Sequence, residues 1–304
     1  MMTRIAGLLL CIFIFSSADA QKMHLKKEKN GYWILENNER IFFFQRSIND
    51  SIPEYARNNY LHPVYDLNGN CITEDYPEDH LHHRGIFWAW HQLLVDGEPI
   101  CDGWDIKNFS QNISQFEFTS DKEKNGVISY TSFWHTDTLP DDPFLMEKTK
   151  VIVHPRTRTY RRLDFEISLR ALENKLSIGG SNDQKGYSGF SVRLKTDEKT
   201  RFTGAENEVI TPTNLAIPGG ERIDIYQPDM KSGLTIIPWP QNPGSENQWL
   251  LRQTRSMQNC AWPGRIPVPL SIENPTVLRY TLIIHNGKIK KKILDQLFLQ
   301  IEKE

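Results

Sequence analysis

Side chains that alternate at two-residue spacing decide most about what this chain can fold into. From Tyr160 to Leu169 the sequence reads Tyr-Arg-Arg-Leu-Asp-Phe-Glu-Ile-Ser-Leu, so Leu163, Phe165, Ile167 and Leu169 share one face. Val127 to Trp134, Lys148 to His154, Phe190 to Leu194, Leu234 to Ile237 and Val277 to Ile284 read as further strands. Tyr32–Leu35 and Arg40–Phe44 flank Glu36-Asn37-Asn38-Glu39, which predicts a hairpin. Glycine and proline turns separate the runs, as at Asn125-Gly126, Gly179-Gly180 and Pro263-Gly264. Only Lys290 to Lys303 has helical spacing, with Ile293, Leu294, Leu297 and Ile301 on one face. Many strands without alternating helices predict an all-β fold, an antiparallel β-sandwich with a short C-terminal helix.

The N-terminus follows another pattern. Arg4 precedes an apolar run from Ile5 to Phe15, and Ala18-Asp19-Ala20 follows. This is the layout of a secretory signal peptide over residues 1–20, with an apolar run too short to span a bilayer. The expected product is exported, periplasmic or extracellular, and its residues 21–304 form one β-sandwich domain. The rest of the sequence shows no run long and apolar enough for a transmembrane segment. The formal net charge is −2, and the one basic cluster, Lys288 to Lys292, opens the terminal helix. Nucleic acid is not an expected partner. Cys71, Cys101 and Cys260 allow one bridge, such as Cys71–Cys101, and one free thiol, or three thiols.

One segment departs from the alternation. Between Tyr60 and Asp105 lie His62, His80, His82, His83 and His91, five of the nine histidines. Glu74, Asp75, Glu78, Asp79 and Arg84 stand among them, with Tyr65, Tyr76, Phe87, Trp88, Trp90 and Trp104. Ionisable groups mixed with aromatics suit a small-molecule or oligosaccharide ligand: aromatic faces stack on C–H faces while charged groups bond hydroxyls. Three readings stay open. An extended His80–Arg84 would point His80 and His82 the same way, a candidate site for a single divalent metal. Alternatively the histidines do general acid–base work with a carboxylate. In the third reading they bond backbone groups in a structural loop. Elsewhere, the loop Gly179 to Phe190 brings Asp183, Lys185 and Tyr187 within reach of a ligand, and Arg193 follows on a strand. Asn242 to Trp249, with Arg252, makes a second polar and aromatic loop region.

The stretch His62-Pro63, Gly69 and Thr73-Glu74-Asp75-Tyr76-Pro77-Glu78-Asp79-His80-Leu81-His82-His83-Arg84-Gly85-Ile86 resembles the signature of a bacterial family catalogued as PmoA-like, or "methane oxygenase". Lys185-Gly186-Tyr187 and Gly189 to Arg193 fit the same resemblance. Trp249-Leu250 stands where many of its members carry Trp-His. The resemblance implies export in a sugar-degrading context, and the strand layout is similar to the galactose-mutarotase-type super-sandwich.

The leading expectation is an exported carbohydrate-active enzyme that hydrolyses, eliminates or epimerises a sugar derivative. His80, His82, His83 and Arg84 form the expected catalytic set. His62, Tyr76, Asp79, Trp88, Trp90, Asp183, Lys185, Tyr187, Arg193, Trp249 and Arg252 are the expected ligand contacts. His80 and His82 are the metal candidates, with no cofactor or one divalent metal. A non-catalytic sugar-binding envelope protein and a metal-dependent oxygenase are the alternatives.

Overall fold

The computed structural model describes residues 22–244, 247–254 and 257–304. The signal-peptide expectation over residues 1–20 falls outside them. Among the described residues, two nine-stranded sheets and one four-stranded sheet form, with antiparallel pairing throughout. The first sheet runs Met23–Glu28, Gly31–Glu36, Glu39–Gln45, Tyr60–Val64, Ile86–Trp90, Ser188–Arg193, Met257–Ala261, Gln248–Leu250, Ile217–Pro218. The second runs Val209–Ile210, Arg201–Thr203, Ile223–Gln227, Ser232–Pro238, Thr276–Asn286, Tyr160–Ala171, Leu145–Val153, Gly126–His135, Ser110–Ser120.

The expected alternation is what closes the sandwich. Leu163, Phe165, Ile167 and Leu169 are buried in one large core, opposite Phe44, Trp88 and Phe190 of the first sheet. Phe190 stacks on Tyr280 with centroids 4.5 Å apart and meets Phe165 edge-on at 5.1 Å. Such aromatic contacts between inner faces add to area burial. Asn37 and Asn38 both take positive φ, 50° and 71°, so the predicted hairpin turns through the two residues best able to do so. The predicted helix forms as Lys291–Ile301. Leu294, Leu297, Phe298 and Ile301 pack on Ile237 and Ile283. These two point outward because their neighbours Ile236, Leu282 and Ile284 point into the main core. The helix therefore covers part of the second sheet's outer face. Part of the first sheet's outer face, around Phe87 and Ala89, is covered by loop residues Trp104 and Tyr187, and Trp104 belongs to the histidine-rich segment.

The three described cysteines are free thiols, so the Cys71–Cys101 bridge does not form. No helix of the described residues is long and apolar enough to cross a membrane.

Candidate functional site

The site begins with the phase of one strand. In Ile86–Trp90, Ile86, Trp88 and Trp90 face the sandwich core, and Phe87 and Ala89 face outward. Phe87 and Ala89 join Tyr60, Trp104 and Met257 in a small apolar floor, with Tyr187 packed against it. The 71–85 loop is pinned beside this floor by backbone bonds: Glu74 N donates to Arg193 O at 3.0 Å, and Arg193 N donates to Gly85 O at 2.7 Å. Gly85 is needed there, since a Cβ would stand 2.1 Å from Leu61 O.

The loop is turned rather than extended. His80 N donates to Pro77 O at 3.0 Å and His83 N to His80 O at 2.9 Å. The rings are thereby gathered instead of alternating. His80 lies flat on His83, with centroids 4.6 Å apart and planes 3° from parallel. His82 meets His83 edge-on at 4.5 Å.

Three buried arginines hold this arrangement. Arg193 donates from Nε to Glu74 Oε2 at 2.8 Å, from Nη2 to Asp79 Oδ1 at 2.7 Å, and from Nη1 to His83 Nδ1 at 3.1 Å. Arg84 donates to Leu81 O at 2.6 Å, His83 O at 2.8 Å and Tyr55 O, and lies 3.6 Å above the Tyr76 ring. Its Nε faces Asp75 Oδ1 at 3.3 Å. Arg57 lies over Phe87 and donates to the carbonyls of Gly103 and Trp104, which fixes the 102–105 turn. Burial, and next the charge of Arg84, pushes the Arg57 guanidinium down.

Carboxylates back the imidazoles. Asp79 Oδ2 lies 2.9 Å from His80 Nδ1, and Asp102 Oδ2 lies 2.9 Å from His91 Nδ1. Asp105 Oδ1 is 3.9 Å from His82 Nε2, beyond hydrogen-bond reach. Burial alone would raise the Asp79 carboxyl, but the His80 bond and Arg193 outweigh it and hold it below its ordinary value. Burial pushes His82 down to about 4, although Asp105 opposes this. Burial, then His82, His80 and Arg193, lowers His83 well below the ordinary histidine range. His91 stacks on Trp104 at 5.3 Å, Trp104 leans on Tyr187 at 5.4 Å, and Arg252 sits 5.4 Å over the Tyr187 ring. An aromatic wall thus flanks a patch of imidazoles. Concavities of about 620 and 460 Å³ lie elsewhere, and neither includes a residue of this patch. The patch is distinguished by its chemistry, not by depth.

His91, Asp102 and Asp105 each offer a ligand atom, all within 4.8 Å of one another. Asp102 Oδ1 is taken by the backbone N–H groups of Trp104 and Asp105, and Oδ2 by His91 Nδ1 at 2.9 Å, a contact that a cation between the two would replace. Asp105 Oδ2 is taken by Lys107 Nζ at 2.8 Å, which leaves Oδ1. The remaining nitrogen and oxygen donors are of the kind a divalent cation takes, so this cluster can hold one.

The structure brings together His80, His82, His83, Asp79, Arg193, Tyr187 and Arg252. Several expected residues are elsewhere. Trp88 and Trp90 are 4% and 0% exposed and pack inside the sandwich, so neither offers a face to a ring; strand phase is the reason. Trp249 is fully buried, packed against Gly219. Arg84 spends Nη1 and Nη2 on loop carbonyls, and its side chain is fully buried. Tyr76, at φ 48°, is held beneath Arg84 with its hydroxyl on Asn49 O. His62 bonds Thr73 Oγ1 at 3.0 Å and makes no ring contact with the other histidines. Asp183 closes its own loop by accepting from Ser181 Oγ and the N–H groups of Lys185 and Gly186, while Lys185 is exposed. The metal expectation moves from His80 and His82 to His91, Asp102 and Asp105. Of the groups given no role from sequence, His91, Trp104 and Asp105 were within the marked segment. Asp102 lies in that segment too, and only Arg57, upstream of it, carries no local signal.

A family model matches residues 34–299, and the chain belongs to that family, a family of unknown function (DUF6807). This corrects the PmoA-like resemblance and removes the methane-oxygenase expectation that came with it. No curated protein matches the sequence. Among solved structures, the chain is similar to YeaD of Salmonella typhimurium, whose description proposes a mutarotase, at TM-score 0.45 and 8% identity over 87% of this chain and 94% of that one. It is similar to Slr1438 of Synechocystis sp. PCC 6803 at TM-score 0.40 and 10% identity over 94% and 100%. It is also similar to a glycoside hydrolase family 97 enzyme of Pseudoalteromonas sp. strain K8, at TM-score 0.40 and 8% identity, covering 92% of this chain and 36% of that one.

Proposed function

We propose that this protein is an exported enzyme that transfers protons on a sugar derivative, with His80 as the acid–base group. Export rests on the signal-like residues 1–20. The observation that carries the chemistry is the Asp79–His80 pair: Nδ1 of His80 is bound to the carboxylate, and its ring is partly open to solvent beside His82 and His83. A carboxylate at Nδ1 orients the ring and makes Nε2 the reactive nitrogen. Tyr187 and Arg252 flank the ligand.

Most carboxylates around the patch are already engaged, and Glu78 is the exposed exception. Arg193 takes Glu74 and Asp79, His91 and two backbone N–H groups take Asp102, and Lys107 takes Asp105. Hydrolysis by two free carboxylates is therefore a poorer fit than elimination or epimerisation through imidazole. Turnover of a panel of free sugars, uronates and glycosides, followed by NMR, tests this. His80→Asn lowers turnover by roughly 10²- to 10⁴-fold. Full activity in a folded His80→Asn protein would sink the assignment.

The His91–Asp102–Asp105 cluster favours a second element, a divalent cation beside the ligand. It would supply a Lewis acid for a sugar oxygen. Calorimetric titration with Mn²⁺, Ca²⁺ and Zn²⁺ gives one stoichiometric site in the native protein and none in Asp102→Asn. Equal binding by both proteins would remove the cation.

A further inference from the structure

His83 has a hydrogen-bond partner that decides its protonation. Arg193 Nη1 lies 3.1 Å from His83 Nδ1, and a guanidinium only donates. Nδ1 must therefore accept, and the ring proton of neutral His83 is on Nε2. Arg193 is held in place by Glu74 and Asp79, so this donor cannot turn away without breaking two ion pairs. Protonating Nδ1 would set two N–H groups against each other in a buried place. The groups that face the ring add to this. His80 and His82 pack on it, Trp104 meets it edge-on at 6.2 Å, and Arg193 and Arg57 both act on it as cations.

From this geometry we infer that His83 is not the base but a fixed neutral N–H donor, which binds a carbonyl oxygen of the substrate while His80 moves the proton. The inference rests on the proton-transfer reading and narrows its substrate to a carbonyl-bearing sugar. A locked imidazole that polarises a carbonyl beside a separate base is a known way to stabilise an enediolate. The step balances without a redox partner. His80 Nε2 takes the proton from the carbon next to the carbonyl. The C–H electron pair becomes the C=C bond, and the carbonyl π pair moves to oxygen. The Nε2–H of His83 bonds that oxygen and keeps its own proton. Return of the proton from His80 restores the carbonyl. Loss of a neighbouring substituent with its electron pair gives the eliminated product instead. Arg193 touches no reacting atom and is a positioning residue.

Two measurements test this. The first needs no substrate: ¹⁵N correlation spectra of the histidine rings in the full chain. His83 keeps its proton on Nε2 and stays neutral between about pH 5 and pH 8, and Arg193→Gln abolishes that fixed tautomer. A His83 ring that carries its proton on Nδ1, or titrates within this range, overturns the locked donor. The second follows deuterium from solvent into D-fructose, D-glucose and D-glucuronate. Native protein exchanges the hydrogen next to the carbonyl. His83→Ala loses roughly 10²- to 10³-fold of this rate. His83→Gln, which keeps an N–H near the same place but has no basic nitrogen, retains the rate to within about tenfold of native. Equal loss in both variants overturns the donor role. A fixed tautomer with no exchange in any sugar removes the carbonyl-sugar step and the proton-transfer reading together, while the Arg193–His83 lock stands.

Discussion

Each large sheet carries Asp–His pairs on its outer face, and the two faces use them differently. On the second sheet, His285 Nε2 lies 2.8 Å from Asp224 Oδ1, and its Nδ1 lies 2.7 Å from Gly287 O. Both nitrogens are occupied and the side chain is fully buried. Gly233 lies so close that a Cβ there would stand 2.3 Å from the His285 ring. His154 pairs with Asp164 at 2.5 Å, and Asp164 is shared with Arg162 and Thr281. On the first sheet, His80 has a carboxylate on one nitrogen only and is 46% exposed. A carboxylate–imidazole pair is thus no evidence of a site by itself. Chemistry needs the second nitrogen open: His285 has both occupied, His154 keeps its carboxylate on Nε2 at 24% exposure, and His80 is the most open of the three.

The comparison breaks most sharply on a pair of matched variants. His80→Asn costs roughly 10²- to 10⁴-fold in turnover and moves the melting temperature little, because an exposed ring contributes little packing. His285→Asn does the reverse. It removes one partner of a buried pair and destabilises by about 3–5 kcal/mol, with unchanged activity per folded molecule. Chemical denaturation together with a turnover assay reads both. Loss of activity in folded His285→Asn, or of stability in His80→Asn, would erase the distinction between the faces.

How much of this was legible in the sequence follows the range of the interactions. Side-chain periodicity is local, so the Tyr160–Ala171 strand and the Asn37-Asn38 hairpin could be read from period-two runs and the terminal helix from helical spacing. The density of histidines between Tyr60 and Asp105 also marked the loop in which His80, His82 and His83 gather. Two things were misread for different reasons. Trp88 and Trp90 fail as ligand contacts because they share a strand face with Ile86, a phase that was present in the sequence. The roles of the histidines were not. The lock on His83 comes from Arg193, 110 residues away, and the 102–105 turn is fixed by Arg57, 46 residues before Gly103. Local patterns carry no trace of either.

His62 sharpens the comparison from within the first sheet. It lies in the marked segment but behaves like a histidine of the second face. Burial, then the charges of Lys195 and Arg84, holds it down to about 4 from an ordinary 6.5. A histidine whose folded pKa is depressed contributes stability above its unfolded pKa, and that stability is lost as pH falls toward the folded value. The native protein therefore loses about 2–3 kcal/mol through His62 between pH 6.5 and 4. His62→Gln flattens this acid limb and leaves turnover unaltered. Melting curves across this range check the first claim. A His62→Gln variant that melts along the native acid limb would show that His62 is not the group responsible.

Lys107 gives the smallest effect, and it tests how open the first face is. Its ammonium, 73% exposed, sits 2.8 Å from Asp105 Oδ2, on a carboxylate that the proposed cation needs. Burial would raise the Asp105 carboxyl, but the Lys107 bond, followed by His91 and His82, outweighs it and holds the carboxyl below its usual range. An arriving cation must compete with this lysine. An exposed pair of this kind is worth about 1 kcal/mol or less, so Lys107→Ala tightens divalent-cation binding only about two- to fivefold. The gain shrinks with added salt, as screening weakens the ammonium that was removed. Calorimetry at low and high ionic strength separates this from a change in fold. Weaker binding in Lys107→Ala would mean that the lysine helps to build the cluster, and the first face would then be as closed as the second.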